Sequence, residues 1–500
     1  MSKTSPVTQI PFRASHSVAI LLSCIALVSA GQAQQFSTLL TGPSGRGAQA
    51  VPAAKLNFKS TDYTDGANPQ SVVVADFNKD GKLDFANVNY NDGAAGSVSV
   101  FLGNGDGTFQ PKVDYAVGDG PDGIAIADVN GDGNLDLVVA NDTGSSVSVL
   151  LGNGDGTFQA HKDYGAGSFP HWIAVGDFNG DGKPDLVETN EGQNTVGVFL
   201  NNGDGTFGTM KTYATSEYPY SVAVGDFNGD GKIDLAVSGY QDSVVNILLG
   251  NGDGTFKAHV DYRTGISPAI VATADINQDG KLDLVTVNYS NGNTGTVSVL
   301  LGKGDGTFRS HVDSTVGLGP DGLAIGDFNG DGIPDLAVAN LIGNTMSVLL
   351  GKGDGTFQPH VDFPTLKFPL GMGAAGFSRR GSGSDDLVVT NDLSATAIVF
   401  LNEAATKISL KSSPNPSQKG QAVVFTAAVK AALKGENGPT GTVTFKDGSK
   451  KLGTAKLVSG VAKFTTKNLS VGTHKITADY SGDDSFNPNT SSVLRQKVNQ

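Results

Sequence analysis

Six stretches of this chain place oxygen-bearing side chains at the spacing a hard divalent cation requires. They are Asp76, Asn78, Asp80 and Asp84; Asp128, Asn130, Asp132 and Asp136; Asp177, Asn179, Asp181 and Asp185; Asp226, Asn228, Asp230 and Asp234; Asp275, Asn277, Asp279 and Asp283; and Asp327, Asn329, Asp331 and Asp335. Calcium takes six to eight oxygens in a flexible shell, and oxygens at positions 1, 3 and 5 of a tight loop converge on one point. Glycine at position 6 permits the sharp turn, a backbone carbonyl usually fills position 7, and a later carboxylate closes the shell. Here the closing acid stands at position 9. Apolar residues at positions 2 and 8, such as Phe77 and Leu83, are placed to anchor the loop in a packed sheet. A lone Asp/Asn/Gly stretch is often an ordinary solvated turn. Six copies with the same ligand types imply about six bound Ca²⁺ ions, structural rather than catalytic.

The copies are 49 or 52 residues apart, so the loops also define a repeat. Units of that length point to propellers or solenoids. A proline precedes each first Asp by seven residues: Pro69, Pro121, Pro170, Pro219, Pro268 and Pro320. Pro369 marks a seventh unit in which Gly376 replaces the first Asp and Phe377 to Gly381 replace the rest, so that unit should hold no metal. Each unit reads as a short apolar strand, the acidic loop, a second strand, a variable loop and a third strand. A Gly-Asp-Gly-Thr-Phe turn and a fourth strand follow, the fourth strand starting at the Phe. Gly-Asp-Gly between apolar runs is a hairpin signal because glycine reaches positive φ without strain. Four strands in seven units predict a β-propeller. The seventh unit stops at Asn402 without its fourth strand. The missing strand is expected before the first unit, from Leu56 to Tyr63, where it would close the ring and remove an exposed edge.

Residues 54–402 resemble the FG-GAP/VCBS repeat propellers, the group that includes the integrin α-chain head. The resemblance implies the fold and the calcium loops. The chain lacks Gly-Ala-Pro, so an integrin mechanism of adhesion is not implied. From residue 405 to 500 the Asp-rich loops vanish and short alternating strands appear, such as Val443 to Phe445 and Ile476 to Tyr480. Alternation with Gly turns fits a β-sandwich. Pro439 to Phe445, Leu469 to His474 and Tyr480 to Asp483 resemble bacterial Ig-like domains. The expected fold class is all-β: a seven-bladed β-propeller followed by an Ig-like β-sandwich.

Residues 1–33 read as a secretory signal, with Lys3 and Arg13 ahead of an apolar core from Val18 to Val28 and small residues at Ala30 and Ala33. The apolar run is too short to span a bilayer. Cys24, the single cysteine, lies inside it, so the exported chain would have no disulfide and metal ions could supply the bracing instead. The net charge is −14; residues 1–33 carry +2 and residues 403–500 carry +8, which leaves −24 on the repeats. Six Ca²⁺ would halve it. An acidic body argues against nucleic acid as a partner.

No nucleophile elbow, zinc-protease helix or phosphate loop is present in the sequence. His161, His259, His311 and His360 share one repeat position and are read as structural, as is His474 in the second domain. Difference between repeats is more informative. The residue after the repeated Pro is Gln70, Asp122, His171, Tyr220, Ala269, Asp321 or Leu370, and Trp172 follows in the third unit. The loop after the second strand carries Tyr90, Asp142, Glu191, Tyr240 and Tyr289. Both sets should open on one face. His171, Trp172, Tyr220, Tyr90, Tyr240 and Tyr289 are therefore the candidate ligand residues, suited to a sugar or a peptide. The expected function is a secreted or cell-surface, calcium-binding adhesion module, monomeric, taking an extracellular glycan or protein. The alternative is a polysaccharide lyase built on the channel face, with His171 and Tyr220 as its only candidate pair.

Overall fold

The computed structural model describes residue 56 and residues 58–500, apart from 92–94, 379–383, 403–405, 432–437, 484–485 and 487–488. The expected leader, 1–33, lies outside the described residues. Among them no helix is long and apolar enough to cross a membrane.

Seven four-stranded antiparallel sheets account for residues 58–402. In the first blade the strands run Pro69–Ala75, Asp84–Asn89, Ala95–Phe101 and Val113–Asp119, from inner to outer. The inner and second strands of blade 1 are buried throughout, because both of their faces are covered by neighbouring blades. Runs such as Ser221-Val-Ala-Val therefore read as continuous apolar segments rather than as alternating ones. The outer strands alternate and face solvent. They begin four residues beyond the repeated Phe, not at it, since the Phe forms only an isolated bridge to the residue that opens the turn, Gly or, in blade 3, Asn201.

The ring closes as the sequence predicts. Phe58–Thr64 pairs along its whole length with Thr396–Asn402 and becomes the outer strand of blade 7. Its Phe58 lies edge-on to Phe363 at 5.1 Å, and Tyr63 lies edge-on to Phe109 of blade 1 at 5.6 Å. The same contact recurs between other blades. The repeated Phe256 meets both Phe178, at loop position 2 of the preceding blade, and Tyr213 of that blade's outer strand, at 5.6 and 5.4 Å. Phe158 and Phe308 are seated in the same way. Edge-to-face rings at this distance add about 1 kcal/mol beyond their buried area. The Thr-Phe of each turn is thus a peg driven between the acidic loop and the outer strand of the blade before it.

The position-9 carboxylate ties each blade together from within. Asp234 is fully buried; its Oδ2 accepts the Phe227 N–H at 3.0 Å and its Oδ1 accepts the Gly250 N–H at 2.8 Å. One side chain thus fastens the acidic loop to the hairpin turn. Asp84, Asp136, Asp185, Asp283 and Asp335 repeat the arrangement. Asp386 does so in blade 7, where the other acids of the motif are missing, by accepting the Ser378 and Asn402 N–H groups.

A second polar chain crosses the middle strands. In blade 2 Asn141 donates to Ser148, which donates to Asp163, which holds His161 Nδ1 at 2.8 Å. His311 and His360 end the same chain in blades 5 and 6, and Lys112 replaces the histidine in blade 1. The repeated histidines are structural.

Residues 406–499 form two facing sheets, one with Thr406–Ser413, Val423–Ala431 and Val461–Thr466, the other centred on Gly472–Tyr480. Phe425, Phe445, Ile476 and Tyr480 fill the space between them. His474 is held by Asp447 at 2.6 Å and by the Ser470 carbonyl.

Because Asp386 has no metal motif around it, its clasp can be tested alone. Asp386→Ala leaves two buried N–H groups unpaired and is expected to cost about 2–5 kcal/mol in urea unfolding. The cost should be equal in calcium and in chelator, and smaller for Asp386→Asn, which keeps one acceptor. A loss below ~1 kcal/mol would show that the clasp does not brace the blade.

Candidate functional site

A bulge on every inner strand shapes the channel mouth. The pairing register between the inner and second strands shifts just after the repeated Pro in all seven blades. A bulge re-aims the residues it carries. Here it turns the post-Pro residues toward the ring axis. Their carbonyls are taken up by the neighbouring blade: Thr189 donates to Tyr220 O, Ser238 to Ala269 O, Thr390 to Gln70 O and Ser71 to Asp122 O. Close blade approach at this level leaves no room for a Cβ at Gly322 or Gly371.

The side chains meet across the axis. His171 of blade 3 packs at a tilt against Tyr220 of blade 4 with ring centres 4.0 Å apart, and its Nε2 lies 3.6 Å from Asp122 Oδ2 of blade 2. Tyr220 stacks on Tyr240 at 5.5 Å, and Tyr240 faces Tyr289 of blade 5 at 6.3 Å. The Tyr220 hydroxyl reaches past Ala269, the small residue of blade 5, to hydrogen-bond Asp321 of blade 6. A bond that skips a blade can form only across the channel. Burial drives the Asp122 carboxyl well above the usual carboxylate range, and Asp142, Glu191, Asp321 and Asp392 add to it. Burial likewise pushes Asp321 up to about 8 and Asp142 up to about 6, the latter against the opposing pull of His171. Six blades, 2 to 7, thus contribute to one tyrosine-lined, acidic mouth.

The predicted ligand residues divide by depth. His171 and Tyr220 are buried on the channel floor; Tyr90, Tyr240 and Tyr289 are half-buried above it. Trp172 differs from its expected place. It is 5 % exposed and packs in the main hydrophobic core, its backbone N–H donating to Thr189 Oγ1. The sequence reading also missed the residue before each repeated Pro. Asn68, Gly120, Phe169, Tyr218, Ser267, Gly319 and Phe368 all have φ between 54° and 62°. That left-handed conformation costs a bulky residue roughly 1–2 kcal/mol. Phe169 and Tyr218 bear this strain while 51 % and 41 % exposed on the channel face. Tyr218 also hydrogen-bonds Glu191, which lifts its hydroxyl pKa to about 12. The signal was available, since an aromatic precedes the Pro in three units, but φ is not legible without the turn.

The acidic loops lie on the opposite face, between inner and second strands. In blade 4 Asp226 Oδ1 accepts the Gly229 and Asp230 N–H groups, and its Oδ2 accepts Gly231 N–H at 2.8 Å. Asn228 accepts the Asp230 N–H, and Asp230 accepts the Lys232 N–H. Loop position 4 has positive φ: Gly229 in blade 4, but Lys79 and Gln278 in blades 1 and 5. Burial raises the position-9 acids to between about 6 and about 8, and in five loops the acids at positions 1 and 5 push them further. That mutual repulsion, in an all-oxygen donor set, fits a hard cation. Among the described residues no three His, Cys, Asp or Glu side chains form a ready metal cluster; Asn and backbone carbonyls would complete each shell. The Asp of each Gly-Asp-Gly turn caps its own Thr, as Asp155 caps Thr157, and is an ordinary turn residue.

Comparison with known proteins agrees with this architecture. FG-GAP-like repeats match at residues 76–139, 128–188, 178–237, 226–286 and 275–338, more than half of the chain. The chain belongs to the FG-GAP-like repeat family. A bacterial Ig-like domain of group 3 matches residues 410–499. No curated protein matches. Among solved structures, a putative 6-phosphogluconolactonase from Bacteroides uniformis is similar over 59 % of this chain and 85 % of its own, at 16 % identity and a TM-score of 0.47. That likeness carries no argument about activity.

Asp321 makes stability depend on pH. Its folded pKa of about 8 lies above the unfolded value of about 3.9. The folded state therefore holds a proton that the unfolded state has lost, and stability falls as pH rises from about 4 to about 8. Asp321→Asn should flatten part of that decline and be more stable than wild type at pH 8. Urea midpoints at pH 5 and 8 check this; a variant with an undiminished decline would contradict it.

Proposed function

We propose that this chain is an exported, calcium-braced binding module that holds an extracellular glycan or protein on the channel face of its propeller. The observation that carries the reading is the division of labour between faces. The acidic loops repeat with the blades, whereas the channel face varies between blades and gathers strained, exposed aromatic residues. Loops on a rigid scaffold are where binding residues concentrate. Aromatic rings beside carboxylates suit both sugars and peptides. The Ig-like domain would serve as spacer or second contact.

Six Ca²⁺ ions, one for each complete loop, would be held by the acids at positions 1, 5 and 9 with the Asn at position 3. They would neutralise carboxylates that now repel one another and fix the loops against which the next blade's Phe is packed. The lyase reading is disfavoured because His171, its only candidate base, is committed to Tyr220 and Asp122.

Two measurements test the proposal. In metal-free buffer a chelator should lower the melting temperature by several degrees, because a ligand bound only by the folded state stabilises it by mass action. An unchanged melting curve would remove calcium from the account. On glycan and extracellular-protein arrays, wild type should bind and a Tyr240→Ala, Tyr289→Ala variant should lose binding at least about tenfold, as expected for two anchoring aromatics. Absence of any ligand would leave the propeller a structural component only.

A further inference from the structure

The channel mouth carries acceptors that the fold does not use. Asp122 Oδ1, Asp142 Oδ1 and Asp321 Oδ2 are buried without a hydrogen-bond partner. Asp122 is 3 % exposed and Asp321 1 %. Buried polar atoms in native proteins are paired as a rule, so an orphan points to an absent partner. The three oxygens come from blades 2 and 6, on different sides of the axis. Tyr220 hydrogen-bonds Asp321 and stacks on Tyr240. No lysine or arginine is among the groups acting on Asp122, Asp142 or Asp321.

We infer that the channel mouth is a recognition site for a primary alkylammonium group, seated among Asp122, Asp142 and Asp321 and flanked by the Tyr220 and Tyr240 rings. An ammonium has three N–H donors and no acceptor, which matches three unpartnered oxygens. Aromatic faces attract a cation by their quadrupole, most strongly where water is excluded. A guanidinium would require a coplanar pair of acceptors rather than three spread around an axis. Half-buried Glu191, Tyr240 and Tyr289 line the way in. A flexible alkyl chain passing the exposed Phe169 and Tyr218 would bring the ammonium to this floor. Binding would convert neutral carboxyls to carboxylates, so protons leave as the cation enters.

The inference rests on the channel face being the ligand face. Its test is titration calorimetry on the full chain in calcium, with 1,5-diaminopentane and Nα-acetyl-lysine methylamide as probes and 1,5-pentanediol as the uncharged control. Both amines should bind one to one if the ammonium alone is read; tighter binding of the lysine derivative would identify a peptide source, tighter binding of the diamine a free amine. The diol should bind at least tenfold more weakly. Binding heats should differ between phosphate and Tris buffers, reporting proton release. Asp142→Asn and Glu191→Gln, which lie above the core, should each weaken the amines at least tenfold while leaving the melting temperature unchanged; Asp122→Asn should do so if it folds. Equal binding of amine and diol, or unchanged affinity in the Asp142 and Glu191 variants, would overturn the inference. Displacement of the amines by added Ca²⁺ would also overturn it, in favour of a metal. A glycan or protein bound on the array with no amine bound would overturn the ammonium site alone; no ligand of any kind would overturn both readings.

Discussion

Every blade hangs on one buried carboxylate that accepts two backbone N–H groups, in six blades one from the acidic loop and one from the hairpin turn, in blade 7 those of Ser378 and Asn402. Without it two buried donors per blade would be unpaired, at about 1–3 kcal/mol each. The rest of the propeller follows from that clasp. It fixes the loop, the loop presents its position-2 side chain, and the next blade's Phe seats against it. Strand order alone would give seven sheets; the clasp and peg make them one ring. Its persistence at Asp386, where the other acids are gone, separates the clasp from metal binding.

The opposite face obeys a different constraint. There the inner-strand bulge fixes only the backbone, and side chains vary from blade to blade. The outcome is a concentration of carboxyl groups that would repel one another if all were ionised. Burial resolves this by keeping some of them protonated, at a cost in stability toward high pH. Strained aromatics before the prolines are a second such cost. Both are features that folding alone would not favour, and they fall on the same face.

Much of this was legible in the sequence because it repeats. Seven prolines at a fixed offset counted the blades, and the absent fourth strand after Asn402 pointed to Phe58–Thr64. His171, Tyr220, Tyr240 and Tyr289 meet on one face, since position in the repeat dictates position in the ring. Depth was not legible. His171 and Trp172 are neighbours on one strand, yet Trp172 packs into the core while His171 reaches Tyr220 and Asp122, because successive residues of a strand point to opposite faces. Nor did the spacing reveal that position 9 is first a clasp, since a carboxylate that binds metal and one that binds two N–H groups look alike in a sequence.

The clasp is present in seven blades and the complete acidic loop in six, a division that predicts one Ca²⁺ for each complete loop. Native mass spectrometry of the folded chain, after exchange into dilute calcium, counts the ions directly. Six bound Ca²⁺ would agree with it; seven, or none, would contradict it.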